Sequence, residues 1–273
     1  MANIFSSSVW VLGTGDSLSY YKEKINLLNN QFTLGFQAFF PNCIRYYNFI
    51  PKVWTWYDPH SAIDGLNYLS KLSDDQLEKR FCAEDSSMKI IIPEYAIQPH
   101  DIFAKYATAS KSCSAKDNSY DIRYLKKLLK LKERGLIVET FKAFSFKQKK
   151  EAKIWDEHFS RRFNLDSAVF ATGVDSCQVP VEHKFPFFVL PLCVFCEAKR
   201  IYTIGFDAIG GRFYDKQKKV DPNYASLEYM SYWNEAIKEK QIDVEIFNLG
   251  HPDSPLNKHV KFLDFEEALD YER

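Results

Sequence analysis

The stretch that most constrains this chain lies near its start. Ser8 to Leu12 (SVWVL) is an apolar run of strand-forming residues, and Gly13-Thr14-Gly15-Asp16-Ser17-Leu18 follows at once. Leu18, Tyr21, Ile25 and Leu28 then recur at helical spacing, so the stretch predicts a strand, a glycine turn and a helix. A fully apolar short strand that feeds a helix is the opening unit of a parallel sheet, because parallel strands are joined by crossovers and covered on both faces. Later segments keep to that scheme. Phe32 to Phe40, Val53 to Tyr57, Met88 to Ile92 (closed by Pro93), Ala168 to Ala171, Arg200 to Gly205 and Asp243 to Asn248 are further strand candidates. Leu227 to Lys240 predicts a helix, and a short C-terminal helix is expected from about Asp264. The fold class expected is α/β, a Rossmann-like, mostly parallel sheet with helices on both faces.

The middle of the chain breaks the rhythm. Asp101 to Ser110, Tyr120 to Arg134 and Lys147 to Arg162 are charged and predicted helical, with a polar loop at Ser110 to Ser119 (SKSCSAKDNS). Residues 94–166 are therefore expected to be a helical insertion or lid within one Rossmann-like domain spanning 1–273. Its lysines and arginines form either a solvated helix face or a docking surface.

Bulk properties exclude several classes. With 273 residues, 46% of them hydrophobic, the chain can bury one sizeable core. Thirty-six basic and 36 acidic residues cancel, so no overall field favours nucleic acid or an anionic membrane. The N-terminal MANIFSSSVWVLG lacks a charged region and cleavage site, so no signal peptide is expected. The longest apolar run, Phe185 to Cys196, is about half of the roughly 20 residues a membrane helix needs, and two prolines interrupt it. No membrane span is expected, and peripheral contact stays open. Six scattered cysteines in a chain of this size read as reduced thiols, and the expected location is cytoplasmic. Cys193 and Cys196 form a C-x-x-C pair without a second pair or a histidine pair, so no metal site is expected.

In open parallel sheets, ligands sit at the carboxyl ends of strands. Four loops fall there: Gly13 to Ser17, Asp58 to His60, Gly205 to Asp207 and Asn248 to Ser254. A fifth, Thr172-Gly173-Val174, is expected to open a helix. Gly13 and Gly15 permit a tight turn and close backbone approach. The helix behind would offer free N–H groups to a phosphate, with Ser17 capping it or donating. On that reading Gly15→Val abolishes nucleotide binding and leaves the fold largely intact. The turn lacks the third glycine of a dinucleotide fingerprint and the G-K-[ST] of a P-loop. Asp58 is either a helix cap ahead of Pro59 or a site carboxylate, and the two roles are compatible. Among the histidines, His60 and His251 follow predicted strands, and His183 lies in the irregular stretch Gln178 to Pro186.

Together these loops resemble the bacterial sialyltransferases of glycosyltransferase family 42 and, more loosely, the related domain of motility accessory factors. Val11 to Leu18 is similar to the family's G-x-G-P-S-L turn, and Trp56-Tyr57-Asp58-Pro59 to its Y-N-P segment. Thr172-Gly173-Val174 resembles its S-G-V helix start, Ile201 to Asp207 its I-Y-L-x-G-I-D strand, and Asn248 to Leu256 its closing loop. The resemblance implies a nucleotide-sugar donor, possibly with cytidine monophosphate as the nucleotide, and inverting transfer to a glycan or other hydroxyl acceptor. It implies no cofactor and no required metal. By resemblance, Gly13, Thr14, Gly15, Ser17, Gln37, Asp58, Thr172 and Gly173 would contact the nucleotide. The chain departs from the pattern at Asp16, in place of proline, and at Asp58, in place of asparagine. Phe36 stands where a nucleotide-binding asparagine is expected. Val220 to Ser226 holds no histidine where the family's catalytic one precedes a helix. The proton acceptor would then be His60, His183, Asp207 or Asp221. Two alternatives stay open: another nucleotide-handling enzyme on this scaffold, or a non-catalytic binding module.

Overall fold

In a computed structural model, the residues described are 7–56, 59–83, 87–93, 118–141, 189–195, 197–207, 212–214, 230–231, 234, 237–238 and 243–272. Among the described residues eight strands carry the fold: β1 Ser8–Leu12, β2 Thr33–Phe36, β3 Val53–Thr55, β4 Lys89–Pro93, β5 Ile137–Phe141, β6 Arg200–Ile204, β7 Glu245–Asn248 and β8 Lys261–Phe262. Between them lie α1 Phe39–Tyr47, α2 Pro59–Ser70, α3 Asp74–Leu77, α4 Asn118–Glu133 and α5 Leu190–Phe195, and α6 Phe265–Tyr271 closes the chain. The strands form one sheet in the order β5-β4-β3-β2-β1-β6-β7-β8. Every pairing whose register is described is parallel. This is the α/β, Rossmann-like architecture the strand pattern predicts. From β1 the order runs one way to β5 and the other way to β8, so the topological switch lies between β1 and β6.

By internal packing the chain divides into Met1–Leu34 with Phe144–Arg273, and Gly35–Ala143. In the first unit, β1 is buried along its whole length and lies in register with β6, from Ser8 opposite Arg200 to Leu12 opposite Ile204. Trp10 stacks on Tyr202 at 4.6 Å, and Tyr202 on Phe247 at 5.2 Å. Three large rings from neighbouring strands thus form one face of the core, which explains the aromatic strands. The α6 helix starts at Asp264, whose carboxylate caps it by accepting from the Glu266 N–H at 3.0 Å.

The predicted helix from Leu18 to Leu28 is instead two 3-10 helices, Asp16–Tyr21 and Ile25–Asn30. Ile25 and Leu28, three residues apart, share a face at three residues per turn as well as at 3.6. The Tyr21 hydroxyl donates to the Leu249 carbonyl at 2.5 Å, and its ring stacks on Phe265. These tertiary anchors override the helical period.

In the second unit, Trp54 lies between Phe40 at 4.6 Å and Trp56 at 4.3 Å. A side chain at Gly65 of α2 would meet the Trp54 ring at 2.3 Å, so that helix position must be glycine. The expected strand Phe32 to Phe40 ends at Phe36, because Phe39 and Phe40 turn inward to start α1. Pro59 opens α2 as the sequence suggests, while Asp58 lies outside the described residues.

The helical insertion or lid expected over 94–166 also contributes a strand to the sheet. Residues 118–141 form α4 and then β5, which pairs with β4 from Lys89 opposite Ile137 to Pro93 opposite Phe141. Being an edge strand with Ile137 exposed, β5 carries a weaker apolar signal than the central strands. Tyr124, Leu128 and Leu131 form the buried stripe of α4, and the Tyr124 hydroxyl accepts from Trp56 Nε1 at 2.8 Å. Among the described residues no helix is long and apolar enough to cross a membrane.

Candidate functional site at the topological switch

Within the first unit, the loops that leave β1, β6 and β7 lock together. Gly13 N–H donates to Ile204 O and Gly15 N–H to Gly205 O, both at 2.8 Å. The contact is backbone on backbone, and only glycines fit. An ideal Cβ on Gly13 would stand 2.5 Å from Gly205 O. On Gly15 it would be 2.6 Å from Asp207 Oδ2 and 2.7 Å from Gly205 O. Gly250, after β7, would meet Asp207 Oδ1 at 2.3 Å. Gly205 itself has φ +79, a left-handed conformation that favours glycine.

Asp207 is the hub. It is 3% exposed. Its Oδ2 accepts from the Ser17 N–H at 3.0 Å and its Oδ1 from the His251 N–H at 3.3 Å. Its own carbonyl accepts from the Ser254 hydroxyl at 2.7 Å, while Ser17 Oγ accepts from the Gly205 N–H at 3.1 Å. Burial pushes the Asp207 carboxyl above its ordinary range, and hydrogen bonds from the Ser17 hydroxyl and from the Ser17 and His251 amides oppose that shift. The arrangement has a direct chemical consequence. The Ser17 amide, expected to be free for a phosphate, already holds an internal carboxylate. Asp207 ties three loops together and is closed to solvent.

His251 follows β7. Its Nδ1 accepts from the Asp253 N–H at 3.0 Å, which assigns the proton of the neutral ring to Nε2. The Tyr20 ring lies beside it at 5.7 Å. Asn248 Oδ1 accepts from the Gly250 N–H at 2.9 Å and its Nδ2 donates to Asn257 Oδ1 at 2.5 Å, so its amide shapes the loop. On the other side of the glycine turn, Gly15 forms an antiparallel bridge with Arg212, and the Phe213 N–H donates to Thr14 O at 3.2 Å.

Of the residues named from sequence, Gly13, Thr14, Gly15, Ser17 and Asp207 thus stand in one cluster. Gln37 belongs to the second unit. It sits just past β2 with φ 57, and its carbonyl accepts from Trp54 Nε1 at 2.8 Å. The residue is 6% exposed, and among the described residues neither its Oε1 nor its Nε2 has a hydrogen-bond partner. A buried amide in that state costs about 1–3 kcal/mol. Gln37→Leu is therefore expected to raise stability by about 1–2 kcal/mol in the ligand-free protein, read as a higher denaturant midpoint. A lower midpoint would show that the amide is satisfied in solution.

His60 lies in the first turn of α2, and its side chain is outside the described residues. Asp58, Thr172, Gly173, His183 and Asp221 are likewise outside them. Sequence reasoning overlooked Arg212 and Ser254. The signal for the first was a Gly-Gly-Arg run a few residues after a strand-end aspartate. Among the described residues no group of histidines, cysteines and carboxylates is arranged to hold a metal ion.

No protein-family model matches the chain, and neither does any curated protein. Among solved structures, it is similar to the sialyltransferase CstII from Campylobacter jejuni in complex with a substrate analogue, cytidine-5'-monophosphate. Identity is 13%, the match covers 94% of this chain and 85% of that one, and the TM-score is 0.42.

Proposed function

We propose that this chain is a glycosyltransferase-like protein that binds a nucleotide-activated sugar, with cytidine monophosphate as the nucleotide, at the loops following β1, β6 and β7. The observation that carries the reading is the convergence of those loops on Asp207 at the point where the strand order reverses. Ligands of doubly wound sheets bind at that point. The likeness of Val11 to Leu18 and Ile201 to Asp207 to sialyltransferase segments supplies the choice of nucleotide.

In the proposed reaction an acceptor hydroxyl oxygen bonds to the anomeric carbon from the face opposite the nucleotide. The bond from that carbon to the phosphate oxygen breaks, the nucleotide leaves with the electron pair, and the acceptor proton passes to a base. Asp207, closed to solvent and holding three loops, is assigned the positioning role. The base is then left to the remaining candidates named from the sequence. A second reading is a binding module without transfer, favoured by the missing histidine at Val220 to Ser226 and by the engagement of Asp207.

A thermal-shift screen with CMP, CDP, UDP, GDP, ADP and S-adenosylmethionine tests the binding claim. A nucleotide at about 100 times its dissociation constant adds about 2.7 kcal/mol, a shift of a few degrees. The expected result is a response to CMP above the others. A response to another nucleotide would change the donor, and no response would sink the reading. Release of CMP from a CMP-sugar then separates transferase from binding module.

A further inference from the structure

If Asp207 already occupies the Ser17 amide, the negative charge of a nucleotide phosphate needs another partner in the same cluster. We infer that Arg212 is that partner, the phosphate-binding residue of the site, aligned by Tyr214 and by its bridge to the glycine turn. The inference rests on the nucleotide reading above.

Three observations carry it. The first is position: Arg212 pairs with Gly15 in an antiparallel bridge, and the next residue donates its N–H to Thr14 O, so this strand-like segment lies along the turn that follows β1. The second is orientation. Arg212 Nη1 donates to the Tyr214 hydroxyl at 2.6 Å, and the guanidinium lies over the Tyr214 ring at 5.8 Å. A guanidinium held by the hydroxyl at the edge of this ring loses less further freedom on binding than a free one, and its remaining donors keep their fork geometry. The third is charge. Asp16, Asp207 and Asp253 stand in these loops, yet among the described residues none makes an ion pair with Arg212. Its hydrogen bond and its stacking both involve Tyr214. A half-buried arginine whose hydrogen bond among the described residues engages one Nη has donors to spare for an oxyanion.

The geometry also accounts for a feature that a phosphate-binding turn alone does not. In phosphate loops the anion sits on helix N–H groups, so an internal carboxylate there would compete with it. With Arg212 as the counter-charge, the turn's glycines serve close packing, and the phosphate meets a guanidinium that can bind two oxygens at once.

The test compares CMP with cytidine, which lacks the phosphate, on the full chain. Arg212→Gln keeps most of the side-chain length and a donor but removes the charge. CMP affinity should fall about 10- to 100-fold while cytidine affinity stays unchanged. Arg212→Lys, which keeps the charge and loses the fork, should fall between wild type and Gln. Unchanged CMP affinity, or equal losses for CMP and cytidine, would overturn the assignment. If wild type binds no nucleotide, the nucleotide reading fails, and inorganic pyrophosphate becomes the probe. Pyrophosphate binding that Arg212→Gln removes would keep Arg212 as an oxyanion site, and no such binding would remove both ideas.

Discussion

Gly15→Val is expected to destabilise the protein by about 3 kcal/mol, and the loss should appear in the unfolding midpoint before any ligand is added. The reason is spatial. A Cβ at this position would stand 2.6 Å from a carboxylate oxygen of Asp207 and 2.7 Å from the Gly205 carbonyl. Neither is the loose end of a flexible side chain. Gly205 belongs to the backbone at the end of β6, and Asp207 is fixed by the Ser17 and His251 amides. Relief requires the β1 and β6 loops to separate, which breaks the bond from Gly15 N–H to Gly205 O. The sequence reading of Gly15 as a phosphate-approach residue predicts the opposite, an intact fold with lost binding. Urea unfolding of the ligand-free variant decides between them. A midpoint within about 0.5 kcal/mol of wild type would favour phosphate approach over packing.

Asp207→Ala has the second largest expected effect, also about 3 kcal/mol. The variant leaves two backbone donors, Ser17 N–H and His251 N–H, without their acceptor in a buried place, at about 1–3 kcal/mol each. Asp207→Asn retains one acceptor and should lose less. Its pH dependence is informative. Because burial raises the folded carboxyl above its ordinary value of 3.8, the native state holds this proton more tightly than the unfolded chain does. The stabilising contribution of this group is therefore fully present below pH 3.8, and it declines as pH rises through the raised folded value. Asp207→Asn removes that decline, so its deficit relative to wild type should be larger at acid pH than at neutral pH. Stability measured across that range checks the sign, and a deficit that grows towards neutral pH would reverse the account of Asp207.

Much of the fold was legible because its central strands are short, mostly apolar and bounded by glycine, proline or polar residues. Ser8 to Leu12 and Arg200 to Gly205 are such cases, and they pair as β1 and β6. The edges were less legible. The IVETF of β5 alternates weakly beside a highly charged helix, and β8 is only Lys261–Phe262. A two-residue strand has no period to read. Helix type differs from the expectation for Leu18 to Leu28, because Ile25 and Leu28 satisfy either repeat and distant anchors such as Leu249 decide between them.

The site was half legible for a related reason. Gly13, Gly15, Ser17 and Asp207 stand at strand ends, and strand ends are what sequence predicts well. Their roles depend on contacts across some 190 residues, as when Asp207 meets Ser17, and local spacing carries no trace of such contacts. Arg212 was missed because an arginine in an irregular stretch looks like any solvated charge until its bridge to Gly15 is seen.

In the proposed function the loops after β1, β6 and β7 hold the nucleotide. Hydrogen–deuterium exchange with and without saturating CMP tests it most directly. The account predicts slowed exchange in peptides covering residues 13–18, 204–207 and 249–254, since binding would suppress local opening there. Slowing confined to other segments, or none at all with CMP bound, would contradict it.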